Sequence, residues 1–353
     1  MALFIIFFIF SLFSSLSVPS GAQVRVKGCP FDSIYSFGGG DSSNSDGLLV
    51  LDHLASAFHV PSPNPYLKKD AKFDYGVKFD ADGATALNTS FFEKKGIQLP
   101  STNSSLEAQL DSFTTYLDSI CSSHESTYLN LDCAKKKLHR ALFLVGEIAN
   151  NDYSYALFQG KTIEEVASYV PQVVQSIKDT IRRLILEGAY NLVVPGTLPI
   201  GCLPAYLTKF HSDDPMHFDS KNCLRGLNTF ARLHNDHLWQ ALTELRLEYP
   251  QVHIVYADYY RAFMTLLHNP IVLGFERHSL MKTCCGSGGL YNFDPMKNCG
   301  DQGVPVCSEL AKYIHWDGFH LTQEAYKHMA EGLISGSFVY PEFKLQERLH
   351  CSM

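Results

Sequence analysis

The chain has 353 residues, 46% of them apolar and 18% charged, with a formal net charge of −7. This is enough apolar material for one large globular domain or two modest ones. The negative balance excludes a nucleic-acid groove as the organising feature, and no polybasic run suggests adhesion to anionic lipid.

Residues 1–16 are nearly all Leu, Ile, Phe, Ala and Ser, and Ser20-Gly21-Ala22 supplies the small residues a signal peptidase needs. The stretch reads as a secretory signal peptide over residues 1–22, without the usual basic start, leaving residues 23–353 as a single domain. The apolar run is short for a membrane span and no later segment qualifies as one, so no stable membrane association is expected. The ten cysteines, Cys29, Cys121, Cys133, Cys202, Cys223, Cys284, Cys285, Cys299, Cys307 and Cys351, all follow the expected cut. An oxidising compartment allows several disulfides among them, in a pairing the sequence leaves open. Zinc is the competing use of cysteine, but no Cys-x-x-Cys pair is present, so no metal is expected. Asn88-Thr89-Ser90 and Asn103-Ser104-Ser105 are glycosylation sequons, consistent with an extracellular or vacuolar destination.

Beyond the leader, residues 33–37 form a short apolar strand candidate running into Gly38-Gly39-Gly40-Asp41-Ser42-Ser43. Residues 47–60 place Leu48, Leu51, Leu54, Ala55 and Phe58 on one helical face, and Pro61 to Pro65 end that helix. Residues 76–86 alternate, with Val77, Phe79 and Ala81 opposite Lys78, Asp80 and Asp82, which suits an edge strand with one wet face. A helix is expected over residues 106–120, and the unbroken apolar run at 141–145 predicts a strand buried on both faces. A long amphipathic helix follows at 162–188, kinked or broken at Pro171. Further strands are expected at 190–194 and 252–256, and helices at 220–249 and 259–268. Residues 275–306 are irregular and rich in Gly and Cys. A closing helix at 322–335 has Thr322 as its N-cap. Strands alternating with helices indicate one α/β domain built on a parallel sheet. In such sheets, ligands bind outside the carboxyl ends of the strands, where Asp41-Ser42, Gly83 and Asn151-Asp152 all fall.

Those residues suggest a division of labour. His320 follows Asp317 by three residues, so a carboxylate on the same short loop can fix the imidazole's tautomer and stabilise its protonated form. Such a pair needs a nucleophile, and Ser42, at a strand-to-helix turn, is the candidate, since a serine hydroxyl is inert until a base takes its proton. Gly83 lets a backbone N–H approach a reacting carbonyl, and Asn151 offers a neutral amide donor for developing negative charge. Singly, each has a plainer explanation as turn or strand-end chemistry. Their order, each at a strand end, carries the inference.

The order and the flanking residues resemble the plant GDSL esterase/lipase family of SGNH hydrolases. The best-matching segments are Phe143-Leu144-Val145-Gly146-Glu147-Ile148 with Asn151-Asp152-Tyr153, Pro199-Ile200-Gly201-Cys202, Cys284-Cys285-Gly286 with Gly288-Gly289 and Tyr291-Asn292, and Trp316-Asp317-Gly318 with His320-Leu321-Thr322. The resemblance covers nearly the whole mature chain. It implies a three-layer αβα flavodoxin-like fold, with a five-stranded parallel sheet in the order 2-1-3-4-5. It implies a Ser–His–Asp triad of Ser42, His320 and Asp317, with an oxyanion hole from the Ser42 and Gly83 backbone and the Asn151 side chain. No metal or cofactor is implied. The expected partner is a small-molecule ester, of acetyl or lipid type, and the oligomeric state stays open.

Three departures from the family pattern bear on activity. Ser45-Asp46-Gly47 looks like a segment that the family places a loop further on, so a wall of the pocket is expected to be missing. Read forwards from Phe37, the nucleophile is Ser42; read backwards from Asp46, it is Ser43. A misplacement on the order of 1 Å can cost about 10²-fold in rate, so a catalytically impaired relative with a binding role is an alternative. An acyltransferase on the same triad is another. The second departure is the charge at Lys78, Asp80 and Asp82, where carboxylates near an oxyanion oppose its formation unless screened. The third is His315, which reads as a neighbour of the site rather than its base.

Overall fold

The computed structural model describes residues 31–40, 45–100, 104–121 and 127–342. The expected leader, residues 41–44 with Ser42 and Ser43, the sequon at Asn103, Cys29 and Cys351 lie outside the described residues. Strands β1 (Ser33–Phe37), β2 (Asn64–Pro65), β3 (Gly76–Lys78), β4 (Ala141–Val145), β5 (Asn191–Pro195), β6 (His253–Ala257) and β7 (Val339–Tyr340) form one sheet in the order β2-β3-β1-β4-β5-β6-β7. All pairings are parallel except that of β7 with β6. The expected five-stranded parallel sheet is therefore the centre of a seven-stranded one. The additions are two edge strands of two residues each, too short to carry a periodicity.

Helices α1 (Val50–Ala57), α2 (Thr89–Lys94), α3 (Leu106–Cys121), α4 (Thr127–Leu138), α5 (Asn150–Phe158), α6 (Ile163–Ala167), α7 (Val170–Glu187), α8 (Pro204–Lys209), α9 (Arg225–Glu248), α10 (Tyr259–His268) and α11 (Gln323–Ile334) complete the three-layer αβα arrangement. One group packs α7 on α9 and α3; the other packs α11 on α1 and α10. Every residue of β1, β4 and β5 is buried, as continuous apolar strands between two helical layers must be. On α7, Val170, Val173, Val174, Ile177, Ile181 and Leu184 recur at helical spacing and are all buried. The break expected at Pro171 falls just before it, where a ring without an N–H fits the first turn of α7. The core near the site is aromatic. Phe37 stacks on Phe79 with ring centroids 5.2 Å apart, and Phe113 meets both edge-on at 5.5 and 5.6 Å.

Two expectations are corrected. The helix expected at 47–60 is only Val50–Ala57. Its start is diverted because Asp46 and Leu48 dock on α11: Gln323 N donates to the Asp46 carboxylate at 2.8 Å, and Leu48 N donates to Gln323 Oε1 at 3.3 Å. The strand expected at 76–86 stops at Lys78 and is not the sheet edge, because β2 covers it. Its charged face is also not wet throughout. Lys78 reaches Asp52 at 3.5 Å, and the Ser36 hydroxyl donates to Asp80. Asp82 alone of the three is exposed.

Among the described residues, four disulfides are formed: Cys121–Cys133, Cys202–Cys223, Cys284–Cys307 and Cys285–Cys299. The last two cross-link the irregular Gly- and Cys-rich stretch within itself, and its backbone pairs with the segment before Asp317. There Cys284 N donates to His315 O at 2.9 Å and Cys285 N to Trp316 O at 2.7 Å. Among the described residues, no helix is long and apolar enough to cross a membrane.

Candidate active site

Helix α11 begins where the sequence places it, with the Thr322 hydroxyl accepting from Ala325 N at 3.3 Å. The turn before it holds Asp317 and His320. Asp317 Oδ1 accepts from the backbone N–H groups of Phe319 and His320, each at 2.7 Å, and Oδ2 accepts from His320 Nδ1 at 2.8 Å. The carboxylate thus locks both the loop and the ring. With Nδ1 donating to Asp317, the Nε2 atom is left as the acceptor. Burial disfavours the Asp317 charge, but the His320 hydrogen bond, its charge and the two N–H donors outweigh it and hold the carboxyl below its ordinary value. Burial likewise disfavours imidazolium at His320, and the hydrogen bond and charge of Asp317, with Glu147 and Asp82 beyond, outweigh it and raise the ring. The loop is braced from outside by Ala205 N, at the start of α8, which donates to Gly318 O at 3.0 Å.

His320 faces a cleft of about 260 Å³ lined also by Gly39, Gly40, Leu49, Asp82, Gly83, Glu147, Ile148, Asn150, Asn151, Ser154, Tyr155, Leu203, Tyr206, Phe319 and Tyr326. Segments far apart in sequence meet here, among them the turn after β1, the loop after β3, the start of α5, the start of α8 and the loop before α11. Gly83, Asn151 and His320 share this cleft, and Asp317 stands behind His320. Gly39 and Gly40 line it as well, and in sequence they directly precede Asp41 and Ser42. Asn151 Nδ2 donates to Ala84 O at 2.9 Å, which fixes the amide while leaving its second hydrogen for a ligand. Gly83 has φ +72°, and a Cβ there would stand 2.7 Å from the Tyr155 hydroxyl, which donates to Gly83 O at 3.1 Å. Gly38 has φ +136°, and its peptide is clamped by buried Gln109: Gly38 N donates to Oε1 at 2.8 Å and Nε2 donates to Gly38 O at 3.0 Å.

His315 does not line the cleft. It is fully buried against Phe263, and burial pushes its pKa down to about 3, so the ring is neutral. Asn88 is exposed and caps α2.

Several contributors were not legible in sequence. Asp152, read only as a neighbour of Asn151, is fully buried and accepts from Ala86 N at 2.8 Å and Leu87 N at 2.9 Å, tying the Gly83 loop to α5. Burial drives its carboxyl up to about 7 against those two hydrogen bonds. Asp152→Asn leaves one oxygen for two N–H donors and sets an amide against one of them. The expected loss is about 1–3 kcal/mol of stability, read as a lower urea midpoint with disulfides intact. Glu147 lines the cleft half-buried, and burial raises it to about 7, with His320 opposing that rise. Tyr206 and Phe319 pass as core aromatics in sequence. Together they form one wall, with ring centroids 6.2 Å apart and Phe158 5.2 and 5.6 Å from them.

Comparison with known proteins agrees with this geometry. Residues 32–333 match the family model described as GDSL-like Lipase/Acylhydrolase. A GDSL esterase/lipase of Arabidopsis thaliana is 44% identical over 92% of this chain and 93% of its own length. Acetylajmalan esterase 2 of Rauvolfia serpentina is 41% identical over 92% of this chain and 95% of its own, and acetylajmalan esterase 1 is 44% identical over 82% and 74%. With a family match across most of the chain, and sheet order and loop positions of the kind the motifs imply, the protein belongs to the GDSL-like lipase/acylhydrolase family of ester hydrolases.

Proposed function

We propose that the protein is a secreted, glycosylated carboxylic-ester hydrolase acting on small acetyl-type or lipid-type esters through Ser42, His320 and Asp317. One observation carries the reading: the Asp317–His320 pair, at 2.8 Å, faces a cleft that Gly40, Gly83 and Asn151 also line. Ser42 Oγ attacks the ester carbonyl while His320 Nε2 takes its proton. Negative charge collects on the carbonyl oxygen, facing the Asn151 amide and the Gly83 backbone. Collapse of the tetrahedral species breaks the bond to the alcohol, which leaves with the proton from Nε2. Water then attacks the acyl-serine and gives a proton to Nε2; as the second tetrahedral species collapses, Nε2 returns that proton to the departing Ser42 Oγ and the acid is released. Disulfides suit an oxidising compartment, and exposed Asn88 is available to a glycan.

Turnover of p-nitrophenyl acetate by purified protein, beside Ser42→Ala and Ser43→Ala, tests the assignment. Loss confined to Ser42→Ala, with fluorophosphonate labelling lost in the same variant, is the expected result. Loss confined to Ser43→Ala moves the nucleophile by one residue. Equal activity in all three rejects a serine mechanism in this turn. Only four residues separate Gly40 from Ser45, which already docks on α11 through its neighbour Asp46. That short span favours a second reading, a pocket that binds esters without cleaving them, and an unlabelled wild-type protein would establish it.

A further inference from the structure

The loop that brings Gly83 to the cleft hangs on one helix. Asp152 of α5 accepts from Leu87 N at 2.9 Å and from Ala86 N at 2.8 Å, and Asn151 Nδ2 donates to Ala84 O at 2.9 Å. Tyr155, one turn further along α5, carries the anchorage towards the tip, where its hydroxyl donates to Gly83 O at 3.1 Å. Side chains at i and i+4 share a helix face, so the Asn151 amide and the Tyr155 hydroxyl leave α5 together and hold consecutive residues of the loop. Gly83 itself, with φ +72°, is the third residue of a turn that Ala84 N closes on Ala81 O at 3.1 Å. Closing such a turn uses the carbonyl of its first residue and leaves that of its third unengaged within the turn. Tyr155 takes that carbonyl. Its ring is half-buried and lines the cleft. Burial first, then the charges of Asp82 and Asp152, pushes the phenol up to about 12, so it stays a neutral donor. A phenol has one hydrogen to give, and this one goes to Gly83 O, so Tyr155 does not itself serve an oxyanion. Glycine has the freest backbone, and without that anchor rotation at Gly83 can swing its N–H away from the point that Asn151 faces.

Building on the hydrolase reading, we propose that Tyr155 is a positioning residue for the oxyanion hole: its hydroxyl holds the Gly83 turn in register with the Asn151 amide, so that two donors converge on one oxygen. Helix α5 then sets both halves of the hole, one through its own Asn151 side chain and the other through the hydroxyl one turn on. The contribution belongs to the transition state, because a ground-state carbonyl asks less of either donor.

Tyr155→Phe tests this, because it keeps the ring and removes only the hydroxyl. Turnover of p-nitrophenyl acetate and inhibition by 1,1,1-trifluorobutan-2-one are measured on the full chain, wild type beside variant. The ketone adds to a catalytic serine as a hemiketal oxyanion and so reports on the hole itself. The expected result is a kcat lower by about 10–10²-fold with KM within about twofold of the wild type. The ketone Ki should rise by the same factor by which kcat/KM falls, a match that loss of packing alone does not produce. A variant whose kcat stays within about twofold of an active wild type overturns the positioning role and leaves the hydrolase reading standing. A fall in kcat without the matching rise in Ki, or a loss carried by KM, overturns it as well. A wild type that neither turns over the ester nor binds the ketone removes the hydrolase reading, and this role with it.

Discussion

His320→Gln is expected to lower kcat for p-nitrophenyl acetate by roughly 10³–10⁴-fold with little change in KM, because it removes the imidazole that takes the serine proton in the proposed mechanism. Asp317→Asn should fall in the same range: the amide no longer demands the tautomer that leaves Nε2 free, and no longer stabilises imidazolium. The two variants differ in pH dependence. The base works when neutral, so the acid limb of kcat/KM in the wild type should lie above the ordinary imidazole value of ~6.5, since Asp317, Glu147 and Asp82 together outweigh burial and raise the ring. In Asp317→Asn the largest raising influence is gone, and the limb should move to lower pH. Stability has the matching sign. The His320 contribution is complete below ~6.5 and is lost as pH rises through the higher folded value. The Asp317 contribution is present above ~3.9 and is lost as pH falls through its depressed folded value. A pH-rate profile whose acid limb stays in place in Asp317→Asn would contradict this electrostatic account.

Asn151→Ala is expected to reduce kcat by about 10²–10³-fold, the usual consequence of losing one donor to an oxyanion. The KM should change little, because a ground-state carbonyl asks less of that donor than the transition state does. Stability should drop by only about 1 kcal/mol, since the lost contact is one hydrogen bond to Ala84 O at the edge of a cleft that water can enter. Asn151→Asp is the sharper control. It keeps the shape, removes the donor and adds a third carboxylate beside Asp82 and Glu147. Its kcat should lie below that of Asn151→Ala, whereas a purely packing role for Asn151 predicts that Asn151→Asp is the milder change. Single-turnover measurements at saturating ester separate the two.

Much of the frame was legible because local pattern and tertiary outcome agree. The strand at Ala141–Val145 and the helix at Tyr259–His268 fall where apolar runs and periodicity place them, and Thr322 caps α11 as its side chain allows. A fully buried strand needs continuous apolar residues, and an N-cap needs an oxygen at one position, so both are local requirements. The Asp317–His320 contact belongs to the same class, because three residues of a tight loop determine it.

What needed the fold is what depends on distant partners. The charged alternation at Lys78, Asp80 and Asp82 suggests a wet edge, but Asp52, Ser36 and the two-residue strand β2 take up that face. Asp152 gains its role from two backbone N–H groups more than sixty positions away in sequence. The amino-acid order by itself determined the family, the layer architecture and the acid–imidazole pair, since each is written in short-range spacing. Only the tertiary structure decided that Glu147 and Asp82 join an aromatic wall in one cleft, because long-range packing, which leaves no periodic mark on the chain, chooses which loops meet above the sheet.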